Sequence, residues 1–407
     1  MNSDAVIIGG GAAGLMAAIV CLRRGRQAVI LEQKEVPGRK ILATGNGRCN
    51  FSNLHMDENC YRGGVKRFPN AALRRFGPQE AIQFFEELGV MARDRQGALY
   101  PATNQAASVR DALCSEALRL GADIRCGVRV GHIRKKDGLF EIVHSGGTER
   151  AGRVILAAGG AASPVHGSDG SGFALARELG HCITPLCPSL TGLKAEEPFC
   201  RDLAGVRAEA TLSLLIDGRF FARDTGEVQL TASGVSGIPA FQLCRHAGTA
   251  LAEQKAVTVK ADFFPALKGK ELKEQLLRLR ERFAVIAARE ALSGMMNKTL
   301  LAVLLPLAGI GSEAPLGEAA DGSIAELCRQ MKGLAFTITG TGGFDTAQVC
   351  AGGVDTSEVN ADTMESLLVK NLYFAGEILD VDGICGGYNL QWAWASGFAA
   401  GFHAAGD

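Results

Sequence analysis

No Cys-x-x-Cys pair occurs among the twelve cysteines of this 407-residue chain. A zinc ribbon or a dithiol redox centre of that spacing is therefore excluded. The cysteines are scattered along a long chain, which points to reduced thiols and a cytoplasmic home rather than a disulfide scaffold. The seven histidines form no HExxH or comparable ligand spacing, so no metal site is expected. Net charge is also absent, since 43 basic residues balance 43 acidic ones. Without an overall field, neither nucleic acid nor an anionic membrane is an expected partner. The longest apolar run, about Leu300 to Ile310, contains Pro306 and is too short to span a bilayer. Residues 1–4 lead straight into an apolar strand, so no secretory leader is expected. A small-molecule substrate is the partner that these absences favour.

Glycine is what the chain has in excess. Its 52 residues fall in short clusters without a G-X-Y period, a pattern that suits backbone pressed against a ligand. The first cluster follows the apolar strand AVIIG and opens a helical run. Gly9, Gly11 and Gly14 stand there in G-x-G-x-x-G spacing. The first glycine permits a tight turn and the second lets the backbone approach a pyrophosphate. The third packs helix on strand, and the phosphate rests on the helix N-terminus. Glu32 ends the second strand of this βαβ unit, where an acid accepts hydrogen bonds from ribose hydroxyls. A dinucleotide without a 2′-phosphate is the inference.

Three later segments bear on which dinucleotide. Pro37 to Asn53 sets Arg39, Lys40, Thr44, Asn46, Arg48 and Asn50 among glycines, offering cations to phosphate and amides to a polar ring. Val154 to Gly160 is a strand ending in small residues. Leu372 to Ala393 gives a strand, the acid Glu377, a glycine-rich turn and a helix start. Between them the pattern shifts twice. Helical periodicity marks Pro78–Leu88 and Gln105–Leu120, and alternating runs from Ala122 to Ala157 suggest a β-meander. The expected organisation is an FAD-type domain over residues 1–190 and 336–407, with a β-barrel-like insert at 191–265 and a charged, leucine-rich helical subdomain at 266–335.

These segments together resemble the flavin signatures of the two-dinucleotide-binding-domain flavoproteins. PGRKILATGNGRCNFSN, AQVCAGGVDTSEV, TMES and LYFAGEILDVDGICGGYNLQWAWASG are similar, more closely, to a bacterial family of aminoacetone-oxidase-like or bile-acid Δ4-reductase-like FAD-binding proteins. The resemblance runs from end to end. It implies an α/β, Rossmann-like FAD fold carrying an inserted β-barrel and a helical subdomain.

It also implies a cofactor-binding set. Gly9, Gly11, Ala13 and Gly14 would touch the pyrophosphate and Glu32 the adenosine ribose, with Gln33 next to it also in the cofactor-binding set. Arg39, Lys40, Thr44, Asn46, Gly47, Arg48, Cys49 and Asn50 would belong to the phosphate and flavin loop. Val130 would contact adenine through its backbone, with Ala157, Ala158 and Gly159 flanking the cofactor. Gly376 and Glu377 would face the ribityl-phosphate. Gly387, Tyr388, Asn389 and Leu390 would bring a helix N-terminus to the flavin pyrimidine. Two departures stand out. The family's Thr-His pair in the barrel is Thr231–Ala232 here, and its Ser-Lys after TMES is Ser366–Leu367.

The residues thus point to an FAD-dependent oxidoreductase that passes a hydride between a small organic substrate and the flavin N5. Either O₂ or NAD(P)H could complete the cycle, so an amine oxidase and an NAD(P)H-fed enone reductase both remain open, and no catalytic residue is singled out. A non-catalytic binding protein of this fold would not need every flavin signature intact. Only residues 9–14 carry the dinucleotide fingerprint, so any NAD(P)H is expected to use the same cleft as the substrate. Cys49 has no resolving partner nearby and reads as packing. Trp392 and Trp394 read as core.

Overall fold

The apolar run that opens the chain forms strand β1 (Asn2–Ile8), and the computed structural model describes residues 2–406. Helix α1 (Ala12–Arg23) follows, then β2 (Ala28–Leu31). Every residue of α1 from Ala13 to Cys21 is buried, which explains a helix apolar on all sides: it is covered on two faces. At about 1.5–3 kcal/mol for each large apolar side chain removed from water, Leu15, Met16 and Ile19 alone anchor it firmly.

The meander adds β3 (Asp123–Arg125), β4 (Val130–Lys136), β5 (Leu139–His144) and β6 (Gly147–Leu156). A late strand, β7 (Leu372–Phe374), then returns to the same sheet. The order is β3-β2-β1-β6-β5-β4, with β7 pairing to β6. β1 runs parallel to β2 and β6, and β6 parallel to β7, while β5 joins β6 antiparallel. Parallel strands buried on both faces read as continuous Val/Ile/Leu runs, and β1 and the end of β6 do so. The closing helix α2 (Tyr388–Ala404) lies against α1. Gly397 and Gly401 make that approach possible, since a Cβ on either would fall 2.5 Å from the carbonyl oxygen of Ala13 or Ala17.

Residues up to Cys187 together with those from Phe344 form one compact unit, and Pro188–Gly343 form the other. The second unit is built on a closed barrel. Its strands run, in order around the barrel, Leu193–Ala195, Gly234–Gly237, Arg219–Thr231, Arg207–Ile216, Val257–Asp262 and Leu334–Thr341. Ala210, Leu212 and Leu214 alternate inward along the long hairpin and are fully buried, the period-2 signature of a one-sided strand. Helices Gly269–Arg282, Lys298–Leu307 and Asp321–Gly333 intervene before the last strand, so the strand that closes the barrel follows the helices.

No helix among the described residues is long and apolar enough to cross a membrane. No disulfide joins any of the twelve cysteines, and no cluster of metal-ligating side chains occurs among the described residues.

Candidate functional site

The carboxyl ends of β1, β2 and β6 open onto a cavity of about 1230 Å³, its solvent-facing mouth included. Its lining joins the first βαβ unit, the end of β6 and the start of α2. The wall is made entirely within the first unit.

Gly9 starts the turn with φ +102°, and a Cβ there would lie 2.4 Å from the Ala157 carbonyl oxygen, so only glycine lets β1 and β6 close together at this point. Gly11, the residue before α1, has no atom within 4 Å of its Cβ position. Its open side faces the cavity that it lines. The helix start carries no side-chain cap and no acid in its first turn. Its first amides are thus left for an anion from outside the chain, with the helix dipole adding to the attraction. This cradle fits a pyrophosphate.

Of the residues singled out in the sequence, Gly9, Gly11, Ala13, Glu32, Gln33, Arg39, Lys40 and Thr44 line the cavity, as do Val130, Ala157, Ala158, Gly159, Gly376, Glu377, Asn389 and Leu390. Segments far apart in the chain therefore converge on one space. Glu32 is buried and its carboxylate already accepts from the amides of Gly10 and Lys34, each at 2.7 Å. Burial raises its pKa, and those amides pull it back down. Lys40 Nζ pairs with Glu377 Oε2 at 2.7 Å and also donates to the Ala162 carbonyl. Glu377 Oε1 accepts from the amide of Cys350 at 2.6 Å.

Other expected residues lie outside this wall. Gly14 is packed behind it, where a Cβ would meet the Gly9 carbonyl oxygen at 1.9 Å. Asn46, Gly47 and Arg48 are exposed on a loop in which Gly45, Asn46, Gly47 and Cys49 all take positive φ. Cys49 itself is sealed from solvent, and burial pushes its thiol up to about 12, which makes it packing rather than a nucleophile. Asn50 spends its amide nitrogen on the carbonyls of Ser52 and Leu99. Gly387 precedes α2 with φ +97°, its open side blocked by Ser52 and Asn50. Tyr388 is buried, and its hydroxyl donates to the His55 carbonyl at 2.7 Å.

Sequence reasoning passed over Val128, Arg129, His166, Ser168, Ser171, Gln348 and Trp392, which also line the cavity. The run SPVHGSDGSG, residues 163–172, reads in sequence only as a turn-rich stretch. Trp392 and Trp394 are buried as expected, and each indole is tied to a carbonyl, of Gly376 and Phe51 respectively. Trp392 adds a cavity wall to its place in the core.

Comparison with known proteins agrees with this geometry. The family described as HI0933-like protein Rossmann domain matches residues 3–403. A 3-dehydro-bile acid delta(4,6)-reductase of Clostridium scindens is 46% identical over 402 residues, covering 98% of each chain. A ribosomal RNA dihydrouridine synthase of Escherichia coli K12 is 30% identical, over 97% of this chain and 96% of its own. Among solved structures, an open flavocytochrome c3 fumarate reductase shares the fold with a TM-score of 0.50 and 16% identity, over 99% of this chain and 78% of its own.

Proposed function

The chain belongs to the HI0933-like Rossmann-domain family and is an FAD-dependent oxidoreductase, and we propose that it reduces a carbon–carbon double bond conjugated to a carbonyl, with NAD(P)H as electron donor. One observation carries this reading. The full-length relatives reported above, a 3-dehydro-bile acid reductase and a dihydrouridine synthase, are named for reductions that share a chemistry, since the saturated bond in each product lies beside a carbonyl. Amine oxidation has no such support. A small, apolar enone is the substrate class, because a chain of zero net charge lacks the basic footprint of an RNA binder.

When bound, FAD would supply hydride transfer from the donor to the β-carbon of the enone, with a proton from solvent completing the α-carbon. The chain's own part is to bind and to polarise. The α1 amides, with Gly9, Gly11 and Ala13, hold the pyrophosphate, and Glu32 with Gln33 holds the adenosine ribose. Arg39 and Lys40 add positive charge, and Val130 with Ala157–Gly159 encloses the adenosine side. Gly376 and Glu377 face the ribityl chain. Asn389 and Leu390 bring the N-terminus of α2 to the flavin end, where its partial positive charge favours an anionic ring. The twelve cysteines without a disulfide fit a reducing, cytoplasmic setting.

The test is an anaerobic titration of the FAD-loaded protein. NADH or NADPH bleaches the flavin, and a 3-oxo-Δ4 steroid then restores its colour. Bleaching by a primary amine, with no reoxidation by any enone, would sink the proposal.

A further inference from the structure

The turn after β6 contains a histidine with no assigned task. His166 lines the cavity, and its Nδ1 is buried without a hydrogen-bond partner. The turn is fastened on both sides. Ser163 Oγ donates to the Ala347 carbonyl at 2.8 Å, the His166 amide donates to Ser163 O at 2.9 Å, and Gln33 Nε2 donates to the Gly167 carbonyl at 2.5 Å. The last bond ties the turn to the residue beside Glu32.

A proton on the buried Nδ1 would be a donor with nothing to receive it, which costs more than an unused acceptor. A second proton on the ring is opposed as well. Burial first, and then the charges of Arg39, Lys40 and Lys34, hold the imidazole below its ordinary range. The ring is therefore neutral with its proton on Nε2, the nitrogen that is not among the buried, unpartnered atoms. Lys40 is largely answered by Glu377, whereas Arg39 is exposed on the wall and makes no ion pair among the described residues.

We propose that His166 is a binding residue of the dinucleotide site, donating from Nε2 to an oxygen of the pyrophosphate beside Arg39 and the α1 amides. The inference rests on the FAD reading and adds a histidine contact to a cradle otherwise made of backbone amides and permanent cations.

FAD-depleted full-length protein is titrated with FAD by flavin fluorescence, and ADP is measured as a competitor. His166→Leu should weaken both ligands by the same factor, about 10- to 100-fold, the scale for one hydrogen bond to a charged group. His166→Gln, whose amide nitrogen can replace Nε2–H, should recover most of that loss. At saturating FAD, the visible spectrum of both variants should match the parent, because the contact is remote from the ring. Affinities of His166→Leu within twofold of the parent would overturn the proposal. So would equal weakening by Leu and Gln, which would mark a packing role. If the parent chain fails to take up FAD, it is the cofactor reading that fails, before His166 is tested.

Discussion

Lys40 Nζ stands 2.7 Å from Glu377 Oε2, across 337 residues of sequence, and the pair fastens the Pro37–Asn53 segment to the Leu372–Ala393 segment. Both side chains are about a fifth to a quarter exposed, at 25% and 19%, so solvent screens the pair only partly. Breaking it also strands a group. Glu377 would keep the Cys350 amide as a donor but lose its cation. A double-mutant cycle of Lys40→Met and Glu377→Gln, read by urea unfolding, should give a coupling of about 1–2 kcal/mol. Additive effects of the two substitutions would show that the contact contributes nothing to the fold.

The protein should purify yellow with releasable, non-covalent FAD. Glu32→Ala should weaken FAD by about 1–3 kcal/mol, the range for hydrogen bonds to a charged group. The structure adds a second expectation. Because the carboxylate also ties down the amides of Gly10 and Lys34, the cofactor-free variant should melt earlier than the cofactor-free parent. An unchanged melting temperature would mean that those two bonds are replaced by water at no cost.

Gly9 and Gly11 should separate folding from binding. Gly9→Ala meets the Ala157 carbonyl and a positive φ, and should destabilise the apoprotein by roughly 2–4 kcal/mol. Gly11→Val meets no neighbour within 4 Å. Its melting temperature without cofactor should stay near that of the parent, while FAD binding is lost because the side chain fills the cradle. Tight FAD binding by Gly11→Val would remove the pyrophosphate from this helix start.

These glycines show which parts of the site could be read from the sequence. Gly9, Gly11, Gly14 and Glu32 lie within one βαβ unit, where spacing alone fixes geometry, and the family's long motifs carry the late strand and turn. The Lys40–Glu377 pair, the docking of Gly397 and Gly401 on α1, and the fastening of the His166 turn to Gln33 are relations between distant segments. No local periodicity announces them. Asn46 and Arg48 had the right chemistry for a phosphate loop, yet successive positive-φ residues turn that loop outward from the cavity wall. The barrel's closing strand, Leu334–Thr341, likewise follows the helical stretch in the chain yet pairs with two strands that precede it, Leu193–Ala195 and Val257–Asp262.

His181 gives a pH dependence with a definite sign. Its Nδ1 is 3.0 Å from Glu358 Oε2 and its Nε2 2.8 Å from Ser366 Oγ, and the ring is buried. The Ser366 hydroxyl also accepts from the amides of Leu368 and Val369, so this Ser-His-Glu row is a structural clamp rather than a nucleophile. Burial lowers the imidazole pKa from its ordinary 6.5, with Glu358 opposing. A depressed histidine pKa means that the unfolded chain binds the proton more readily. The stabilisation is complete above about pH 6.5 and falls away as pH drops from there toward the folded-state pKa. Thermal melts from pH 7.5 to 5.0 should show a steeper decline for the parent than for His181→Gln, which should be less stable at neutral pH by about 1–3 kcal/mol. Parallel curves would exclude the histidine as the source.

Electron supply should be sequential at one face. A nicotinamide dinucleotide needs its own turn, helix N-terminus and ribose acid to bind as FAD does, and G-x-G-x-x-G at a strand-to-helix junction occurs here only at residues 9–14. The cysteines offer no Cys-x-x-Cys relay by which a second site could pass electrons inward. NAD(P)H must then reach the ring by the route that the enone uses, and leave as NAD(P)⁺ before the enone enters. Steady-state rates at varied donor and acceptor should give parallel double-reciprocal lines, and excess enone should inhibit competitively against NAD(P)H. Stopped-flow mixing should show full flavin reduction by NAD(P)H alone, at a rate that added enone does not raise. A complex of NAD(P)H, enzyme and enone that forms before any loss of flavin colour would require a second nucleotide site, and would defeat the single-cleft account.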